Sequence, residues 1–277
     1  MEINIRKIFQ EKNQKVARLI PGFIFKYIER VVHQAEVNEY LTKYGHLEGV
    51  PFINASIEYF NITIELKGLE QIPENGKYLF VSNHPLGGFD GVILMKFISD
   101  KCGNVKVIVN DILMNLKNLE KHFLPINKHG SQNKDSANLI DIAFSSEIQM
   151  LTFPAGLCSR KINGKIVDLE WKKNFLTKAI ASKRDIVPIH FSGQNSKFFY
   201  NLSNFRKRVG IKANIEMFYL VDELFKHRNK TFTISFGKPI PYSIFDKSEN
   251  LKNWAEKLRL FIYDLQHNTK ADFIRTK

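Results

Sequence analysis

The chain has 277 residues, a length suited to one large α/β domain with a small appendage. Hydrophobic residues make up 44%, including 23 Phe, against 25% charged, which supports a sizeable core and excludes a disordered chain. With 41 Lys plus Arg against 28 Asp plus Glu, the formal net charge is +13, so its surface favours anionic partners such as nucleic acid, an anionic membrane or an acidic carrier protein.

Met1 leads into a polar, charged stretch and not into the apolar centre of a signal peptide. From Ile5, the apolar residues Ile8, Phe9, Val16, Leu19 and Ile20 fall at helical spacing until Pro21 interrupts them. A second stripe follows in Phe23, Ile24, Tyr27, Ile28, Val31 and Val32, so residues 4–44 read as a two-helix unit joined at "IPG". Arg18, Lys26 and Arg30 flank Leu19 to Phe25, a mixture that suits an interfacial membrane anchor. Packing of the same stripe against a sheet is the competing use. The expected division is an N-terminal amphipathic helical pair over residues 1–50 and an α/β domain over 51–277.

After "GHLEGVP" the pattern changes to short β-rich runs at 60–66, 78–82, 105–109, 150–153, 186–191, 215–220 and 232–236. Several are almost continuously apolar, as strands covered on both faces are. Residues 90–99, 133–145, 173–183 and 194–208 fit crossover helices, and 248–265 closes the chain with Leu251, Trp254, Leu258, Phe261 and Leu265 at helical spacing. The expectation is an α/β fold with a mixed, mostly parallel sheet flanked by helices on both faces, preceded by the two-helix unit. No run reaches the roughly 18 apolar residues that a membrane span takes, so membrane association would be peripheral. The two cysteines, Cys102 and Cys158, build neither a disulfide framework nor a metal cluster and point to a reducing, cytoplasmic compartment.

One short loop carries chemistry. The apolar run at 78–82 ends at Ser82, which puts Asn83 and His84 beyond a strand's carboxyl end, where open α/β sheets place ligands. Asp90 stands as the N-cap of the helix that follows. Helix neighbours are three or four residues apart, so contact between His84 and Asp90 requires a loop that folds back. Gly87 and Gly88 permit that reversal. Asp90 on one ring nitrogen would fix the tautomer, and the other nitrogen could deprotonate a substrate hydroxyl or amine. Taken alone, the pair reads more readily as a capped helix after a glycine-rich turn, which is a common arrangement.

"NHPLGGFD" (83–90) resembles the first motif of the glycerolipid acyltransferases, Asn-His-x4-Asp, and "FPAGLCSRK" (153–161) resembles their third, Phe-Pro-Glu-Gly-Thr-Arg-Ser. "IVPIHF" is similar to the fourth block and "FLPINK" to the second, with Ile126 and Lys128 near that block's Ile-x-Arg. The resemblance implies a soluble-faced acyltransferase domain moving a fatty acyl group from a carrier-protein or coenzyme A thioester to a lyso-lipid hydroxyl. It requires no metal or other cofactor. His84 and Asp90 would be catalytic, and Asn83, Gly87, Gly88, Lys128, Phe153, Pro154, Gly156, Ser159 and Arg160 would bind substrate. Acyl carrier protein and a membrane lipid are the implied partners, at the inner face of the cell membrane.

The departures are informative. Five residues separate His84 from Asp90 where the family usually has four, a spacing similar to a bacterial "NHPLGG" branch grouped with haemolysin-like proteins and acyltransferases of amino-acid lipid synthesis. Ala155 stands in place of the family's Glu and Cys158 in place of its Arg, with Arg160 two residues on. Lys does not replace a bidentate Arg neutrally, so the acceptor site reads as rebuilt, for a lysophospholipid or a lyso-amino-acid lipid. Cys158 and His190 are read as buried core residues without a chemical role. Two other classes compete: a lipid- or carrier-binding protein of the same fold without chemistry, and a nucleic-acid binder. Net charge alone supports the latter, and no nucleic-acid partner is expected.

Overall fold

Residues 3–12, 14–110, 114, 116–126 and 134–273 are described by a computed structural model of the chain. The helical start comprises α1 (Ile5–Lys12), α2 (Gln14–Leu19), α3 (Gly22–Val31) and α4 (Gln34–Tyr44), with residue 13 outside the described residues, so the second apolar stripe is divided where one helix was expected. Pro21 separates α2 from α3, and His33 takes a left-handed conformation (φ 49°) between α3 and α4. Such a break leaves the apolar spacing intact and so escapes a periodicity argument. α5 (Val50–Tyr59) was not anticipated, although Pro51 opens it, a favoured place for proline.

The remaining elements are β1 (Thr63–Lys67), β2 (Tyr78–Ser82), α6 (Phe89–Cys102), β3 (Val105–Asn110), β4 (Phe123–Ile126), α7 (Lys134–Ser145), β5 (Gln149–Thr152), β6 (Arg160–Ile162), β7 (Lys165–Val167), α8 (Asn174–Ala181), β8 (Asp185–Phe191), α9 (Lys197–Arg208), α10 (Leu220–Lys226), β9 (Thr231–Phe236) and α11 (Leu251–Asp264). Seven strands form one sheet in the order β1-β9-β8-β2-β5-β3-β4, every neighbour parallel except β8 with β9. β6 and β7 form a separate antiparallel hairpin.

Alternation along β2 explains the layering. Tyr78 and Phe80 join one core with Tyr40, Phe52, Ile93 and Leu94, from α4 to α6. Leu79 and Val81 join the other with Phe144, Leu176, Trp254 and Leu258, from α7, α8 and α11. Strands covered on both faces need no polar face, which is why β2 is buried at every residue.

Residues 215–220 are not a strand. They form a 3-10 turn (Ile215–Tyr219) running into α10, because Glu216 is drawn inward by Arg160 and Arg206 and the turn closes with Met217 N–H donating to Asn214 O. A continuous apolar run cannot by itself distinguish the two conformations. Among the described residues, no helix is long and apolar enough to cross a membrane.

β2 and β5 are parallel neighbours, so the segments leaving Ser82 and Thr152 emerge side by side at the same edge of the sheet. That adjacency brings the loop of His84 to the loop of Phe153.

Candidate active site

Asn83 fixes the start of the loop. Its Oδ1 accepts the Phe191 N–H at 2.7 Å and its Nδ2 donates to Phe191 O at 2.9 Å, tying β2's exit to the end of β8. The chain then reverses through Gly87 (φ +77°) and Gly88 (φ +153°), conformations that L side chains rarely adopt. At Gly87 a Cβ would also stand 3.0 Å from Cys158 Cβ and from Leu220 Cδ2.

The reversal closes on Asp90. His84 Nδ1 lies 3.0 Å from Asp90 Oδ2, as the spacing required of a folded-back loop. Asp90 is not the N-cap, since α6 begins at Phe89 and Gly88 caps it. From the first turn its carboxylate accepts the N–H of Leu86 (2.9 Å, Oδ2), Gly88 (3.1 Å, Oδ1) and Gly91 (2.8 Å, Oδ1). This one acid therefore shapes the loop and holds the imidazole. Burial pushes its carboxyl up, but the His84 ring and the N–H groups of Leu86 and Gly91 outweigh that, and its pKa lies below the ordinary 3.8.

The peptide of His84 is held from a second side. Ser159 N–H donates to His84 O at 2.8 Å, and His84 N–H donates to Asp168 Oδ1 at 3.2 Å. Asp168 also accepts the Ser159 hydroxyl (2.6 Å) and Trp171 Nε1–H (2.9 Å), while its own N–H donates to the Tyr263 hydroxyl (2.8 Å). Burial raises the Asp168 carboxyl above its ordinary value despite those donors. Phe153 stacks on the His84 ring, centroids 4.1 Å apart and planes at 26°. Sequence reasoning missed Asp168, Trp171 and Tyr263. Asp168 is separated from His84 by 84 residues, and no motif spacing announces it.

A cleft of about 380 Å³ opens beside the pair, within the range of small-molecule sites. His84, Gly87, Gly88, Phe153, Pro154 and Gly156 line it, with apolar walls that include Met95, Val107, Phe123 and Phe144. The sequence-derived set thus divides. Asn83, Ser159 and Arg160 lie behind the wall, and Lys128 falls outside the described residues. Arg160 is 1% exposed, with Nη2 donating to Glu216 Oε1 at 3.0 Å and Nη1 to Cys158 O at 2.7 Å and Cys158 Sγ at 2.8 Å. Among the described residues, the lysines on the cleft are Lys172 and Lys178, the latter paired with Asp141.

Ala155 is buried in the core layer beneath α8, and Cys158 is buried with its thiol pushed up to about 11 by loss of solvent, against the pull of Arg160. His190 is likewise buried and packed against the Tyr263 ring, its pKa lowered to about 4 by burial.

The chain matches a family model described as acyltransferase over residues 7–272. It is 50% identical over 264 residues to a protein named lyso-glycine lipid O-acyltransferase from Bacteroides thetaiotaomicron, covering 95% of this chain and 97% of the relative. A protein of the same name from Phocaeicola vulgatus is 49% identical over 264 residues, covering 95% of each. A crystal structure of the 1-acyl-sn-glycerophosphate (LPA) acyltransferase from Thermotoga maritima superposes with a TM-score of 0.48 at 14% identity, covering 94% of this chain and 85% of that one.

Proposed function

The chain belongs to the acyltransferase family, and from that premise we propose that it transfers a fatty acyl group from a thioester to the hydroxyl of a lyso-glycine lipid. The observation that carries the reading is the contact of His84 with a fully buried Asp90 at the mouth of an apolar cleft.

With Nδ1 engaged by Asp90, the second ring nitrogen of His84 takes the acceptor's hydroxyl proton as the oxygen attacks the thioester carbonyl carbon. The carbonyl oxygen becomes an oxyanion. As the carbon–sulfur bond breaks, the departing thiolate receives the proton from the imidazolium, and an ester and a free thiol remain. Asp90 stays ionised and stabilises the imidazolium throughout. The N–H groups of Leu86, Gly88 and Gly91 already serve Asp90, so oxyanion donors come from elsewhere on the cleft wall.

The relatives and the third motif support this acceptor. An acylated glycine ends in a carboxylate of one negative charge, against roughly two on a phosphate monoester, so one ammonium can balance it. Arg160 is committed to Glu216, Ala155 replaces an acid, and Lys172 is exposed at the cleft as a point charge. The donor is an acyl carrier protein or coenzyme A thioester, with no further cofactor. The protein works peripherally on the inner face of the cell membrane, with the exposed Leu19, Phe23 and Ile24 as a contact, whereas Phe25, counted with them from the sequence, turns inward and is buried against Phe9. Contact within the His/Asp pair beside an open cleft speaks against a protein that only binds lipid.

The test is to incubate purified protein with each thioester donor and a panel of lyso-lipids and identify the products by mass spectrometry. Acylated glycine lipid is expected. Efficient acylation of lysophosphatidate with lyso-glycine lipid left untouched would overturn the acceptor assignment.

A further inference from the structure

α9 turns an apolar stripe outward. Its inner face buries Phe199, Tyr200, Ser203 and Arg206, whereas Phe198 is 48% and Phe205 60% exposed, seven residues apart and so on one side of the helix. Val209 (50%), Ile211 (41%) and Phe218 (60%) extend the exposed apolar surface through the following turn. Soluble monomers rarely leave such a patch uncovered without a use for it.

Its charge indicates what covers it. From Lys197 to Asn214 there is no Asp or Glu, and Lys197, Lys207, Arg208 and Lys212 are exposed among the apolar side chains. A second copy placed symmetrically on this face would set like charges against like. Aromatic and aliphatic side chains interleaved with cations match the boundary between headgroups and acyl chains of an anionic bilayer.

Its position ties it to the N-terminal stripe and to the cleft. The hydroxyls of Tyr27, in α3, and Tyr219 are 2.5 Å apart, and the rings of Tyr219 and Phe198 are 4.9 Å apart. Phe23, one turn before Tyr27, is 73% exposed. Met217, adjacent to Phe218, lines the cleft with His84.

We propose that the outer face of α9 and the turn through Phe218 form a second membrane-contact surface, continuous with α3, that seats the cleft mouth on an anionic bilayer. This rests on the lipid-acceptor reading above and goes beyond its single contact at Leu19, Phe23 and Ile24.

The test is sedimentation of the full chain with mixed phosphatidylglycerol and phosphatidylcholine vesicles, and with pure phosphatidylcholine as the uncharged control. Two variants are compared with wild type, Phe205→Ser with Val209→Ser, and Lys207→Gln with Arg208→Gln. Leu260→Ser, on α11 and 53% exposed, serves as a substitution of the same kind elsewhere. Both double variants should bind mixed vesicles about tenfold more weakly or worse, the charge variant losing its defect in high salt, while Leu260→Ser binds as wild type. All substituted side chains face outward, so melting temperatures should stay unchanged. Turnover of a detergent-dispersed acceptor should also be unaffected, with the loss confined to acceptor embedded in vesicles. Wild-type binding by both double variants would overturn the proposal, whatever else the face proves to bind, as would a wild-type protein that ignores vesicles. Vesicle binding is read without turnover, so a wrong acceptor assignment leaves this result standing.

Discussion

Asp90 Oδ2 lies 3.0 Å from His84 Nδ1, and the same carboxylate accepts three backbone N–H groups, two from the loop that carries the histidine and one from the first turn of α6. An asparagine there would present an amide N–H₂ to at least one of those donors. Asp90→Asn should lower turnover by about three to four orders of magnitude, the scale seen when the acid behind a catalytic histidine is neutralised. Steady-state kinetics with either thioester donor would show it. Activity within tenfold of wild type would contradict the assigned role.

The same substitution has a pH signature. Because the folded pKa of Asp90 lies below its ordinary 3.8, the charge contributes stability above that value that is lost as pH falls through the folded pKa. Melting temperature should therefore drop more steeply below about pH 4 in wild type than in Asp90→Asn. Parallel acid limbs for the two proteins would contradict the downward shift.

Asp168 holds the His84 peptide, and with Ser159 it fixes the position of the ring's own backbone. Asp168→Asn keeps an oxygen for His84 and Ser159 but turns N–H₂ toward Trp171 Nε1. A small displacement of the histidine can cost about a hundredfold, so kcat should fall by roughly ten- to a hundredfold with KM for the acceptor unchanged. A matching rise in KM without loss of kcat would place Asp168 in binding instead.

Cys158 invites suspicion as a nucleophile because it touches the cleft. Its thiol is buried and raised to about 11, which leaves almost no thiolate at neutral pH. Cys158→Ala should retain transfer within a few-fold, and native protein should resist alkylation there. A trapped acyl-cysteine on Cys158 would contradict this.

His190 stays neutral in the fold, with a pKa near 4 against 6.5 when free. The unfolded chain binds that proton first, so stability falls as pH drops from 6.5 towards about 4, by on the order of 3 kcal/mol at most. His190→Gln should flatten that part of the stability profile. Some slope should remain, since burial also lowers the pKa of His227.

The layers of the fold and the heart of the site were legible because they depend on short-range patterns. Near-continuous apolar runs marked β2 and β8, and a histidine just past a strand with glycines before an aspartate marked the loop. What escaped depends on contacts distant in sequence. The apolar run at 215–220 reads as a strand because nothing within it reveals that Arg206 and Arg160, 10 and 56 residues away, draw Glu216 inward. Arg160 read as a substrate cation for the same reason, since its partner was invisible. β4 has only four residues, too few for a periodicity argument, and its place at the sheet edge is set by pairing with β3.

The central claim concerns a single proton taken by His84 from a lipid hydroxyl. Wild type and His84→Ala should be compared for ester product by mass spectrometry, with lyso-glycine lipid and a thioester donor, alongside their melting curves. Product from the wild type, none above background from a variant that melts normally, is the outcome the geometry predicts; comparable product from both would contradict it.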